Sequence, residues 1–331
     1  MSRSTFGTLA DRGSWLVLAL SLALLTLSLI ALHAPARSAD ADMFPVTVVD
    51  DEGTEIVIRS RPDRIISLSP ANTETVFALG GGPRLVGGTD FDDYPAEAVE
   101  LADVATFNGV IMERLVDLEP DLVLAAGNFF TPPADIARMR ELGYPVVVVY
   151  APDVEGVLAD IELIGQAIGE SETAAGITSG MRMRIEEIAA AAAAAGSRPR
   201  TYYEFDFFEG ATFGPAPLSF TTDLIERAGG EAITTGDPQV FQMPLERLIE
   251  ADPQVIVLGD AMFGVCPDQV AERSGWTGMS AVVQGRVRAI DGLTVTRPGP
   301  RLADGLARLA LTIHAELDLE DLEPATELCA D

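Results

Sequence analysis

The sequence predicts an α/β protein of two lobes, each with a central, mainly parallel β-sheet flanked by helices, bridged by one long α-helix. Three observations carry this reading. Short apolar runs alternate with amphipathic segments along most of the chain, the pattern of strand–helix–strand units. One phrase occurs twice: residues 112–124 read MERLVDLEPDLVL and residues 245–257 read LERLIEADPQVIV. Each copy is a short helix stopped before a proline (Pro120, Pro253) and followed by a buried strand. Finally, Ser171 to Ala195 reads as one helix, ending in seven alanines, the residue of highest helix propensity. At ~1.5 Å per residue such a helix is roughly 38 Å long, more than either lobe needs as a crossover, so it reads as a strut between lobes.

The elements follow in order. Residues 1–39 carry Arg3 and Arg12 ahead of an apolar run from Trp15 to Leu32, then small residues offering Ala34-Pro-Ala36 or Ala36-Arg-Ser38 for cleavage. This is a signal peptide, or an anchor if it stays uncleaved, the run being close to spanning length. No Cys follows the run to mark a lipid anchor. The N-terminal lobe is assigned to 40–152. VTVVDDEGTEIVI (46–58) is a hairpin around an Asp-Glu-Gly turn, and RIISL (64–68) a short strand. Ser69-Pro70 opens a turn, and Thr73 to Leu79 forms a helix. LVGGT (85–89) and DLVLA (121–125) are strands, 132–142 a helix and PVVVVY (145–150) a strand. A helical linker covers 153–196, with Asp153 capping a first helix that Gly169 ends and Ser171 capping the long one. The C-terminal lobe, 197–317, repeats the logic. It has strands at 200–205, 254–260 and 286–290 and helices near 219–228 and 267–273. A last helix runs from Leu302 to Leu317. Residues 318–331 are an acidic, loosely ordered tail.

Composition narrows the function. Against 22 Lys+Arg stand 51 Asp+Glu, a net −29, or −31 once the +2 of residues 1–39 is set aside. Such a surface repels phosphate backbones, so nucleic acid is excluded as a partner. His33 falls in the leader, which leaves His314 alone in the last helix, and no Ser-His-Asp set can be assembled without it. With no HExxH and no CxxC, no metal site is read. The glycines at 80–83 and 87–88 match no phosphate-loop spacing and read as turns, and Asp90, Asp92 and Asp93 as a solvated charge run. Cys266 and Cys329 are the two cysteines; an exported compartment permits a disulfide between them, which would tether the tail, and two unpaired thiols remain the alternative.

The aromatics point to a ligand. Phe91 and Tyr94, Phe107, Phe129 and Phe130, and Phe241 fall on loops that follow strands or precede the repeated phrase. In open α/β sheets such loops line the binding crevice. Each buried Phe contributes on the order of 2 kcal/mol, so several would make an apolar wall for a bulky ligand. Arg297, in TRPGPR, sits on a matching loop and could meet a polar ligand edge, whereas Arg301 reads as the start of the last helix, paired with acidic neighbours. One acidic residue per repeated phrase, Glu113 and Glu246, suits a two-lobed protein gripped on both lobes by one partner.

SPANTETVFALG (69–80), DFDDYP (90–95), ATFNGVIMERLVDLEPDLVLA (105–125) and RPGPR (297–301) resemble the periplasmic-binding-protein family that serves importers of vitamin B12, ferric siderophores and haem. The likeness spans about 45–317 and is nearest to the cobalamin-binding members. It implies the class III architecture of that family, with lobes bridged by one long helix and little closure. It implies an extracytoplasmic, monomeric, non-enzymatic solute-binding protein without a cofactor. Its ligand is a metal chelate, corrinoid or ferric siderophore, held in the interlobe cleft and handed to a permease dimer of an ABC importer. By motif, Glu113 and Glu246 dock on the permease, and Phe91, Phe107, Phe241 and Arg297 line the cleft. The cobalamin binders tend to carry Trp or Tyr where this chain has these three Phe, and Ala126 stands where an aromatic is found in some. Three other readings stay open: a haem binder of the same family, for which Tyr94 is the available ligand; a membrane-tethered sensor; and a nitrogenase-like enzyme component, against which the shortage of Cys and His counts.

Overall fold

The computed structural model describes residues 43–127, 130–319 and 329. The leader (1–39), Phe129 and most of the tail (318–331) lie outside the described residues.

The chain enters through an antiparallel hairpin, β1 (Val46–Val49) and β2 (Glu55–Ile58), in register Val46↔Ile58. Asp50 closes its turn by accepting the amides of Glu52 and Thr54 on Oδ1. The first lobe is a six-stranded sheet of β3 (Ile65–Ser67), β4 (Leu85–Thr89), β5 (Asp103–Thr106), β6 (Gly109–Val110), β7 (Leu122–Ala126) and β8 (Val146–Val149), in the order β6-β5-β4-β3-β7-β8. Every pairing is parallel except β5 with β6. Three helices connect these strands: α1 (Pro70–Ala78), α2 (Met112–Asp117) and α3 (Pro133–Glu141). Ser69-Pro70 does not open a turn, as expected, but starts α1: the Ser69 side chain accepts the Asn72 amide, and Pro70 takes the first helical position, where its missing N–H costs nothing.

Two helices make the linker, α4 (Val154–Ile168) and α5 (Ser171–Ala194). Asp153 caps α4 as expected, and Gly169 ends it at φ 76°, a left-handed conformation that glycine adopts without penalty. Ser171 is not the cap of α5. Glu170 occupies that position, and its carboxylate is taken by Arg61 and by Arg84 at 3.0 Å. The buried residues of α5, Ala174, Thr178, Met181, Ile185, Ile188 and Ala192, step by alternating fours and threes and so form one stripe.

The second lobe holds a four-stranded parallel sheet of β9 (Arg200–Glu204), β12 (Glu231–Ala232), β14 (Val255–Leu258) and β15 (Val287–Ala289), in the order β12-β9-β14-β15. The sequence reading missed a small antiparallel sheet of β10 (Asp206–Phe208), β11 (Ala211–Phe213) and β13 (Gln242–Met243), because strands of two or three residues leave no periodicity to detect. The helices here are α6 (Phe220–Arg227), α7 (Leu245–Ala251), α8 (Pro267–Ala271), α9 (Ser280–Val283), α10 (Gly292–Thr296) and α11 (Leu302–Ile313). The last helix stops at Ile313, short of the expected Leu317. Buried His314 leaves the helix there and places Nε2 3.1 Å from the Gly229 carbonyl.

Alternation along the strands explains how the lobes unite. Ile65, Leu122, Leu124, Tyr203, Val255 and Val257 face one core shared with α4, α5, α6 and α11. Their neighbours Ile66, Val123 and Ala125 face a separate core of the first lobe, and Tyr202, Ile256 and Leu258 one of the second. Sheets buried on both faces read as continuous apolar runs, as these do. The described residues thus form one compact unit. Among the described residues no helix is long and apolar enough to cross a membrane.

Candidate functional site

The C-terminal ends of the first-lobe strands open onto a pocket of about 300 Å³. Leu68 after β3, Thr89 and Phe91 at the end of β4, Ala105 to Phe107 on β5 and its turn, and Phe130 to Pro132 after β7 line it. The structure therefore brings Phe91, Phe107 and Phe130 to one wall. Phe107 is 90% exposed and Phe130 66%, large rings held in water.

The loop carrying Phe91 is anchored by Asp92, which is buried and not solvated as expected. Its Oδ2 accepts the Thr89 amide and the Thr73 hydroxyl, both at 2.9 Å, and its Oδ1 the Thr89 hydroxyl at 2.9 Å. Burial pushes this carboxyl up from its ordinary range, opposed by those hydrogen bonds. Gly87 and Gly88 are not a turn but part of β4. A Cβ on Gly88 would lie 2.2 Å from Asp92 Oδ2, so only glycine lets the anchor close.

Arg297 reaches the edge of this pocket from the second lobe. Its Nη1 lies 2.9 Å from Glu74 Oε1, its Nη2 lies 3.0 Å from Asp93 Oδ2 and 3.4 Å from the Phe91 carbonyl, and Nη1 also contacts Asp93. Arg301 precedes α11 as expected and pairs with Glu74 through Nε at 2.8 Å and Nη2 at 2.7 Å, its guanidinium 4.0 Å over the Tyr94 ring. Tyr94 thus packs against a cation beside the pocket and is not one of its lining residues. Glu74, on α1, is 3% exposed. Nothing in the sequence marks it, since a Glu inside a helix reads as solvent-facing.

The second lobe contributes a different set. Phe241 sits half-exposed ahead of α7 with its ring 6.4 Å from that of Phe205. Phe208 at the end of β10, Leu218 just ahead of α6 and Phe263 after β14 also stand exposed; Leu218 is 90% exposed at φ 59°, a left-handed position unusual for leucine. Behind them Arg273 Nη1 bonds both carboxylate oxygens of Glu204, at 2.9 and 2.7 Å, and its guanidinium lies 3.7 Å from the Phe207 ring centroid. Thr212 donates to Glu204 at 2.6 Å and sits 2.8 Å from the Tyr202 hydroxyl. Asp260, just past β14, is buried with neither carboxylate oxygen hydrogen-bonded among the described residues. Burial first, then the nearby Glu204, pushes it up to about 7.

The repeated phrase folds the same way twice. Glu113 and Glu246 are exposed at the second position of α2 and α7. The following arginines lie along the body: Arg114 donates to the Asp103 carbonyl at 2.9 Å, Arg247 to that of Thr234 at 2.8 Å. Leu115 and Leu248 are fully buried, and a left-handed residue (Glu119 at φ 43°, Asp252 at φ 45°) precedes each proline. Cys266 and Cys329 are joined as a disulfide with Cα atoms 5.7 Å apart, which fixes that point of the tail beside α8.

A family model described as periplasmic binding protein matches residues 65–293. Over 290 residues the chain is 32% identical to an uncharacterized ABC transporter substrate-binding lipoprotein of Bacillus subtilis strain 168, covering 83% of this chain and 87% of that one. Over 301 residues it is 32% identical to a cobalamin-binding protein of Halobacterium salinarum, covering 86% and 79%. The crystal structure of the periplasmic vitamin B12 binding protein BtuF of Vibrio cholerae superposes with a TM-score of 0.68 at 25% identity, covering 77% of this chain and 98% of that one.

Proposed function

Because the chain belongs to the periplasmic binding protein family, in the group that serves vitamin B12, ferric siderophores and haem, we propose that it captures a neutral corrinoid in the interlobe cleft and delivers it to an ABC importer. One observation carries the choice of ligand. The pocket is walled by Phe91, Phe107 and Phe130, while the two arginines at its edge are neutralised by Glu74 and Asp93. Anionic chelates, such as a ferric tris-catecholate or haem with its two propionates, need a cation to offset their desolvation. A neutral corrinoid needs apolar area, which the rings supply. The cobalamin- and vitamin B12-binding relatives support the same choice. A haem reading is further disfavoured because Tyr94, its available ligand, is stacked under Arg301.

Delivery rests on Glu113 and Glu246. Two exposed carboxylates, repeated on the two lobes at the same helical position, match a permease dimer that offers one basic site per half. Each contact contributes only ~0–1 kcal/mol when exposed, so its value lies in orientation and encounter rate. This chain makes and breaks no bond in that role; it recognises and hands over.

The test is titration of residues 40–331 with cyanocobalamin, cobinamide, haemin and a ferric tris-catecholate, followed by calorimetry. Saturable submicromolar binding of a corrinoid supports the reading. Tighter binding of either anionic chelate overturns it.

A further inference from the structure

We infer that Glu74 is a specificity-determining residue: without lining the pocket, it sets the charge that the cleft presents to a ligand. The inference rests on the corrinoid reading above and deepens it. Glu74 comes from α1 of the first lobe, and the two arginines it neutralises come from the segment between β15 and α11 of the second. It takes three charge-assisted hydrogen bonds, one from Arg297 and two from Arg301. Arg297 is at the same time bonded to the carbonyl of Phe91, whose ring lines the pocket, and Arg301 lies over Tyr94 three residues further on. Two cations, Arg297 and Arg301, are therefore directly paired with two carboxylates, Glu74 and Asp93, at the pocket edge, with the buried Asp92 carboxyl close enough to Arg297 to feel its charge.

The two carboxylates are not equivalent. The Asp93 side chain is 51% exposed, so water and salt screen its pairing. Glu74 is buried, and its charge acts through protein. The amide of Gln has nearly the same shape and still offers one oxygen to the guanidinium groups. Glu74→Gln therefore raises the cluster by one unit of charge while leaving the apolar wall in place. Arg301→Gln moves the cluster by one unit the other way. At ~7 Å from a ligand anion and an effective dielectric of about 20–40, one unit of charge changes affinity roughly tenfold or more.

The experiment is competitive titration of residues 40–331 and these two variants with cyanocobalamin and with haemin, at low and high salt. Glu74→Gln is expected to improve the haemin-to-cyanocobalamin affinity ratio roughly tenfold, and Arg301→Gln to worsen it by a similar factor, the Glu74→Gln effect changing little between low and high salt because the carboxylate it removes is buried. A Glu74 that only bolts the lobes together would weaken both ligands alike and leave the ratio unchanged; that result, or ratios moving the same way in the two variants, overturns the inference. If Glu74→Gln does not fold, the direction of the Arg301→Gln ratio decides. Should the unsubstituted protein already prefer haemin, the corrinoid reading falls, while the opposite movement of the two ratios still tests the role of Glu74.

Discussion

Replacing Arg273 by Met should destabilise the second lobe, and by an amount that depends on pH. The guanidinium is 8% exposed and its partner Glu204 fully buried, joined by contacts of 2.7 and 2.9 Å. Removing one member of a buried pair costs about 3–5 kcal/mol, because the other is left as an uncompensated charge. The packing of Arg273 on Phe207 and, at 4.8 Å, on Trp276 places the loss toward the upper end. For a chain of this size that corresponds to a fall in melting temperature of roughly 6–10 °C. Burial, the largest influence, holds the Glu204 carboxyl above its ordinary range even with Arg273 present. A carboxyl raised in the folded state contributes stability at low pH that is lost as pH rises through its folded value. Arg273→Met should thus be least damaging near pH 5 and most damaging near pH 8. Glu204→Gln combined with Arg273→Met should recover most of the loss and flatten the profile. Chemical denaturation of the three proteins at both pH values measures this. A loss below about 1 kcal/mol at pH 8, or a double variant no better than the single, refutes the argument.

Three further outcomes are expected. Glu113→Ala with Glu246→Ala should abolish ligand uptake by cells while leaving the dissociation constant of the isolated protein unchanged; a weakened ligand constant would remove these residues from the docking role. Gly88→Ala should cost about 1–3 kcal/mol by overpacking against Asp92, and should weaken ligand binding through displaced Phe91, read by denaturation and titration together. Asp260→Asn should stabilise the protein relative to the parent increasingly as pH rises from about 4 to about 7 and by a constant amount above that, because burial holds the carboxyl up to about 7 and its protonated form is the one the fold accepts; a variant that tracks the parent at every pH contradicts this.

Much of the fold was legible because burial on both sheet faces writes itself as uninterrupted apolar runs. Val146 to Val149 and Val255 to Leu258 are such runs, and both are strands. Asp153 was legible as a helix cap because its side chain acts locally. Ser171 misled for the same reason: a serine ahead of a helix looks like a cap, and only the distant Arg61 and Arg84 show why Glu170 stands there instead. The Asp90–Asp93 cluster misled in the opposite sense, since three nearby carboxylates read as solvated until Thr73, from another strand–helix unit, is found bonding the middle one.

What the sequence determined by itself is the class of molecule. Two copies of one helix–proline–strand phrase, a poly-alanine strut and apolar strands of regular spacing dictate two joined α/β lobes, because periodicity and propensity act over a few residues and need no partner. What only the tertiary structure decided is the character of the cleft. Phe91, Phe107 and Phe130 meet at one pocket, and Arg297 arrives there neutralised by residues 223 and 204 positions away. Charge compensation depends on distance in space, and chain order carries no record of it until the lobes close on their shared core.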